Sequence, residues 1–438
     1  MESMTPLGRS ARGAFDLRSL AGDAGLVIGG ALAANLLNYV FHFVISRRLG
    51  PDDYGTLTAL LAIAAMTGPI GASLSSVALQ ETAKLWVRHR DDHIGEFVRH
   101  ASPAVFSIAA TLWVLLVGVS FAIGPYLHIA SIDLWLAFAT YCAAVTCASF
   151  LRGCAQGAHR FAAFATSLMG EAIVKLGVSV FLVLLGWRVL GALGGIVAGI
   201  TVAGIVLIPL IARRPDSSTY DKSEHTHLRL GGESFRVLGV TAFTAVLMFV
   251  DTLFAKHHLS GVDAGYYGAA GTLARIIPYG VGLISLVLMP KAAAGLHSSR
   301  DSLVRLLRFA LGAGFVLTCV LVALFVFAPG FVIAISYGAK FSASVPLLRL
   351  YGIDAGILAL LGLGLSYLIA VRDYVITRFL AVAVVLEAVA MASFGTTPVR
   401  LLSIAIAINA ALVPAVSYCV LRTIGVAPQA PNPPSAEV

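Results

Sequence analysis

Residues 46–55 read SRRLGPDDYG. A long apolar stretch runs from Ala24 to Ser46 before them, and another starts at Tyr54. Gly50-Pro51 ends the first helix, because proline cannot continue a helix that it did not start. Asp52 and Asp53 favour the N-terminus of the next, where the helix dipole attracts negative charge. Tyr54 suits a membrane–water interface. The stretch is therefore a turn between two membrane-spanning helices. Arg47 and Arg48 within it either anchor to lipid headgroups or form a cationic outer rim.

The rest of the chain supports this reading. Of 438 residues, 58% are hydrophobic and 12% charged, with a mean hydropathy of +0.90. Soluble domains carry about 25% charge, so this chain needs an apolar solvent. The net charge of +8 then belongs to membrane topology and not to nucleic acid. The five cysteines lie in or beside apolar runs and form no C-x-x-C pair, which predicts neither a disulfide nor a metal site. No cofactor motif is present. In particular there is no G-x-x-x-x-G-K-[ST] loop, so any transport would be coupled to an ion gradient or to the substrate gradient.

Twelve apolar stretches are long enough to cross a bilayer: 24–46, 54–80, 101–124, 131–151, 161–186, 189–212, 235–256, 266–290, 307–328, 345–370, 374–395 and 399–421. The first is too long for a signal-peptide core and reads as an uncleaved span. With the N-terminus inside, 21 Lys and Arg fall in cytoplasmic segments and 6 outside, which predicts two cytoplasmic termini. The expected organisation is an N-tail (1–23), a six-helix bundle (24–212), a polar linker (213–234), a second six-helix bundle (235–422) and a proline-rich disordered C-tail (423–438).

The opening motif returns at an offset of 210, with Leu49, Asp53 and Gly55 matched by Leu259, Asp263 and Gly265. Both halves start on the same side, so the repeat is parallel, its pseudo-two-fold along the membrane normal. The predicted fold is an all-α membrane protein of two such bundles, an architecture that rocks about a central site.

Polar residues inside the spans are the candidate site, because charge there is costly. Asn35, Asn38 and His42 are spaced to share one helix face; they line a polar cavity or bond a neighbouring helix. Glu171 and Lys175, at i and i+4, pair with each other or face a cavity. Asp251 is a cavity or structural acid. Arg275 lies deep in the eighth span, one turn before Pro278. It either clamps a phosphate bidentately or pairs internally with Asp251 or Glu171. Glu387 is lone and central, a candidate for ion coupling or a neutral hydrogen-bonded acid. Gly191, Gly195, Gly199 and Ala203 form a stripe for close helix packing.

The first helix with its RRLGPDDYG ending resembles the R-x-L-G-P signature of the polysaccharide transport family. Two further stretches are similar to that family: LRGCAQGAHRFAAFATSLMGEAIVKLGVSVFLV after the fourth span, and the run from Val250 through the eighth span. The pair His257-His258 departs from its pattern. These are Wzx-type flippases for O-antigen, capsule and exopolysaccharide units, in the MOP superfamily that also holds multidrug (MATE) exporters and lipid II flippases. The resemblance implies a MATE-like fold in a bacterial inner membrane. It implies translocation of undecaprenyl-diphosphate-linked oligosaccharide by alternating access. Its partners would be that lipid, the bilayer and polysaccharide polymerase or assembly proteins, with no enzymatic step. The alternatives are a MATE-like cation or drug antiporter, which predicts an acidic cavity, and a membrane glycosyltransferase or polymerase, which predicts a large acidic external loop.

Overall fold

The computed structural model describes residues 17–87, 93–211, 231–295 and 300–426. All regular structure among them is helical. The first half comprises α1 (Leu17–Leu49), α2 (Pro51–Val87), α3 (Ile94–Tyr126), α4 (Ile132–Gly157), α5 (Phe161–Leu184) and α6 (Arg188–Ile211). The second comprises α7 (Gly232–His258), α8 (Gly261–Ala274), α9 (Ile276–Gly295), α10 (Arg300–Phe327), α11 (Pro329–Ser336), a 3-10 turn at Ala339–Ser344, α12 (Val345–Ala370), α13 (Ile376–Phe394) and α14 (Pro398–Val426). Eleven helical segments among the described residues have the length and hydropathy of a span. The broken α8–α9 pair occupies the remaining predicted span. Large apolar side chains point outward, Phe327 at 84% exposure and Phe309 at 75%. Water would not tolerate such a surface; lipid does.

The two halves form six-helix bundles related by a parallel pseudo-two-fold. The expected linker 213–234 and both tails lie largely outside the described residues. Where the chain is described, α1 already runs from Leu17 and α14 to Val426, and several helices overrun the predicted spans. At about 1.5 Å per residue, α2 with its 37 residues extends past the hydrocarbon into the headgroups. The segment after α10, expected as an external loop, instead folds into α11 and the 3-10 turn. Ile333, Tyr337 and Phe341 from it are at most 1% exposed.

The sequence repeat has a structural meaning. Helices α2 and α8 are the two that follow the matched motifs, and they cross with their backbones in contact. A Cβ on Gly55 would lie 2.8 Å from the Gly265 amide nitrogen and 3.0 Å from the Gly261 carbonyl oxygen. A Cβ on Gly265 would run into the Pro51 backbone. Matched glycines thus meet each other where the halves join. We call this side of the bundle the motif end.

Getting α1 into α2 requires a sharp reversal. Gly50 supplies it at φ +80°, a left-handed conformation that costs glycine nothing. Pro51 then starts α2 with its φ already set and no lost donor. The matched acids are used differently. Asp53 takes a bidentate bond from Arg188 at the start of α6, at 2.7 and 2.8 Å. In the second half, Ser260 caps α8 by accepting the Asp263 amide at 3.1 Å.

The stripe Gly191, Gly195 and Gly199 lies directly against α5, at Leu182, Ser179 and Glu171–Lys175 respectively. It lets α5 and α6 approach at backbone distance.

If the Gly55–Gly265 crossing sets how the halves join, Gly265→Ala should lower the stability of the detergent-solubilised protein by about 1–3 kcal/mol. Gly118→Ala, where a Cβ meets nothing within 4 Å, should be neutral or slightly stabilising. Thermal unfolding midpoints of the two variants measure the difference.

Candidate functional site

A cavity of about 620 Å³ lies between the halves. From the first half it is lined by Asn35, Asn38, Tyr39 and His42 of α1, Thr58 of α2, Tyr141 of α4 and Lys175 of α5. From the second it takes Phe249 of α7, and Thr272, Arg275 and Tyr279 around the α8–α9 break. The predicted α1 face therefore does face a cavity, and all three of its polar residues line it. Arg275 follows the 14 residues of α8, so it sits about 21 Å below the motif end, deep in the span.

The motif end of the cavity is closed by aromatic rings from both halves. Tyr54 of α2 packs at 5.5 Å from Tyr337 and 5.8 Å from Phe341, and Phe43 of α1 lies 5.7 Å from Tyr337. Tyr54 is hydrogen-bonded to Tyr337 at 3.1 Å and to His42 Nδ1 at 3.0 Å. Tyr54 is therefore buried in this plug and not at the membrane interface its type suggests; its hydroxyl is satisfied by partners. Outside the plug, Arg47 donates to the Ile335 carbonyl, which also ties the halves together. Arg48 is exposed. On the side away from the plug the cavity rim is apolar and open, with Leu32 of α1 at 48% exposure, Leu283 of α9 at 38% and Tyr279 at 54%.

The helix break that presents Arg275 is local chemistry. Pro278 lacks an amide hydrogen, and its ring clashes with the carbonyl of Ala274, four residues back. Helix α8 stops at Ala274 and α9 starts at Ile276, with Arg275 between them. This corrects the expectation of one continuous eighth helix.

Arg275 is 7% exposed and has a partner. Its Nη2 donates to Asp251 Oδ1 at 3.2 Å and to Thr252 Oγ1 at 2.8 Å, and its Nε to the Met248 carbonyl at 3.1 Å. The guanidinium lies 4.2 Å from the centroid of the Phe249 ring. The internal pair with Asp251 is thus formed, and Arg275 lines the cavity as well. Asp251 itself sits behind it and is not a lining residue. It accepts from the Thr252 amide and from the hydroxyls of Tyr267 and Tyr351.

Glu171 does not pair with Lys175 and does not line the cavity. Arg152 of α4 reaches it instead at 2.6 Å. The same guanidinium bonds Ser167 through its hydroxyl and its carbonyl, so Glu171 belongs to an α4–α5 clamp. A planar fork that satisfies several acceptors at once outcompetes a neighbouring ammonium. Lys175 is left in the cavity, 4.9 Å over the Phe41 ring, a cation–π contact.

The interior of the second half holds a separate polar group. Asp354 accepts from Asn409 Nδ2 at 2.8 Å. Glu387 is fully buried, and neither of its oxygens has a hydrogen-bond partner among the described residues. Neither acid lines the cavity.

Two features escaped the sequence reading. Buried tyrosines (Tyr267, Tyr351 and Tyr337) hold the acid and the plug. They lie near or outside the ends of the predicted spans, where a tyrosine reads as an interface residue, so nothing in the sequence signals their burial. The anomalous His257 also has an account. Its ring stacks on Tyr126 at 3.6 Å, its Nδ1–H donates to the Tyr126 carbonyl at 2.7 Å, and His128 lies 5.9 Å away. It joins α7 to the end of α3, across the halves.

Known structures place this arrangement. The chain's fold is similar to that of an inward-facing multidrug-resistance MATE transporter of the MOP superfamily (TM-score 0.67, 12% identity, covering 90% of this chain and 96% of that one). It is similar to the lipid II flippase MurJ in an inward closed conformation (0.64, 13%, 90% and 87%). A third similar structure is a MOP superfamily transporter from Pyrococcus furiosus, described as having a binding pocket of reversed polarity (0.57, 14%, 92% and 94%). At these identities the likeness is one of fold: the MATE-like fold of MOP transporters. No curated protein matches the chain in sequence. The model of a family described as polysaccharide biosynthesis proteins matches residues 20–294. That stretch is well over half the chain and includes α1, the crossing helices and every cavity residue named above, so the chain belongs to the polysaccharide biosynthesis protein family.

Proposed function

We propose that this protein is a flippase that carries an undecaprenyl-diphosphate-linked oligosaccharide across the bacterial inner membrane by alternating access, for surface polysaccharide synthesis. The observation that carries the reading is the charge of the cavity. Its lining includes two cations, Lys175 and Arg275, and no carboxylate. An arginine fork matches a phosphate bidentately, and an ammonium adds a point charge. Asn35, Asn38 and the tyrosine hydroxyls provide donors and acceptors for sugar hydroxyls. The apolar open rim at Leu32 and Leu283 suits a lipid whose tail stays in the bilayer while its head enters the cavity. The size falls in the range of ligand-binding cavities, about 300–1,000 Å³.

The lysine and arginine bias puts both termini in the cytoplasm and the motif end outside. On that orientation the aromatic plug is the closed outer gate, and Arg47 and Arg48 stand at its rim. The state described is then inward-facing. Glu387 is the candidate for ion coupling, because a buried carboxyl without a partner is poised to take up a proton or cation. Polymerase or assembly proteins are the partners that would receive the lipid outside. No covalent step is needed, so the protein is read as a transporter and not an enzyme. A cation antiporter would place acids in the cavity; here the acids lie behind its wall.

Two results are expected. Arg275→Ala, expressed at wild-type level in a deletion strain, should leave lipid-linked oligosaccharide accumulated, and Arg275→Lys should restore only a minor part of the flux, since lysine lacks the fork. Extraction and quantitation of the lipid-linked pool measures both. Glu387→Gln should remove the dependence of transport on an imposed ion gradient while leaving substrate binding intact. Transport in vesicles with and without the gradient reads this out. Unchanged gradient dependence would discard the role of Glu387.

A further inference from the structure

Breaking a buried ion pair is costly mainly because it strands a charge. The pair of Arg275 and Asp251 is arranged so that neither charge would be stranded. Asp251 divides its bonds. Oδ1 faces Arg275 at 3.2 Å and also accepts from the Thr252 amide at 2.7 Å and its hydroxyl at 3.2 Å. Oδ2 accepts from Tyr267 at 3.0 Å and from Tyr351. Remove Arg275, and four donors remain. On the other side, Arg275 alone of the pair faces the cavity, sits at a helix break, and keeps the Phe249 face and the Met248 carbonyl.

We propose that Asp251 is the resident counter-ion of Arg275, which a diphosphate entering the cavity displaces and which Thr252, Tyr267 and Tyr351 hold while it is displaced. Asp251 is a positioning residue on this account, since it does not touch the substrate. It occupies the guanidinium when the cavity is empty and competes for it when the cavity is full. That competition weakens binding and permits release. The two tyrosines set the strength of the competition. The proposal rests on the diphosphate reading of the cavity.

The test is isothermal titration of the purified full-length protein in nanodiscs with geranylgeranyl diphosphate. Removing the competitor in Asp251→Asn should tighten binding by about tenfold, the worth of a hydrogen bond to a charged group. In vesicles the same variant should flip more slowly, because release is held back. Tyr267→Phe and Tyr351→Phe should act in the opposite direction and weaken binding several-fold, because an acid with fewer donors clings to Arg275. A merely structural network predicts weaker binding in all three variants. That outcome, with wild type still binding, overturns the counter-ion role and leaves the flippase reading in place. If Asp251→Asn does not fold, Asp251→Ser takes its place: affinity no tighter than wild type overturns the proposal. No binding by wild type removes the diphosphate reading, and the proposal with it.

Discussion

Two helix backbones touch at Gly55 and Gly265, and much else follows from that contact. It joins the halves at the motif end and at no more than van der Waals distance. Side chains larger than hydrogen would push α2 and α8 apart. Close approach there lets Tyr54, Tyr337 and Phe341 meet as a plug, and it brings Arg47 to the Ile335 carbonyl. Further from the crossing the halves diverge, and the cavity opens between α1 and the α8–α9 break. A rocking motion would repack this junction as a unit.

The second constraint is the solvent. Lipid offers no hydrogen bonds, so every charge in a span must find a partner or a wet cavity. The chain answers in three ways. Glu171 is taken by Arg152, and Asp354 by Asn409. Lys175 and Arg275 reach the cavity, each also resting on an aromatic face. Glu387 alone among the buried acids of the spans discussed has neither partner nor cavity. The sorting leaves positive charge on the cavity wall and negative charge behind it. That separation distinguishes the flippase reading from cation antiport.

Much of the fold was legible in the residues. Apolar stretches of twenty or more have few solutions in a bilayer, and each predicted span is helical, the eighth being split at Arg275 into α8 and α9. The repeat pointed to two parallel halves, and its motif only to a turn; that its glycines meet each other where the halves join is a tertiary fact. The site was legible in part. Helical spacing placed Asn35, Asn38 and His42 correctly on one face, because periodicity fixes faces within a helix. For Glu171 and Lys175 it left pairing and cavity open, and only Lys175 reaches the cavity, because i, i+4 spacing says who can pair and not whether a third residue from another helix binds better. Arg152 lies 19 residues away in sequence, beyond any local rule. Arg275 was open between clamp and ion pair; the structure shows the pair with Asp251, and Arg275 also lines the cavity.

The most direct measurement is transport by the pure protein. Reconstituted in proteoliposomes, it should move an undecaprenyl-diphosphate oligosaccharide from one leaflet to the other and should not extrude a cationic dye such as ethidium. Extrusion of the dye, with the lipid-linked sugar left in its original leaflet, would contradict the cationic-cavity account and make the protein an antiporter.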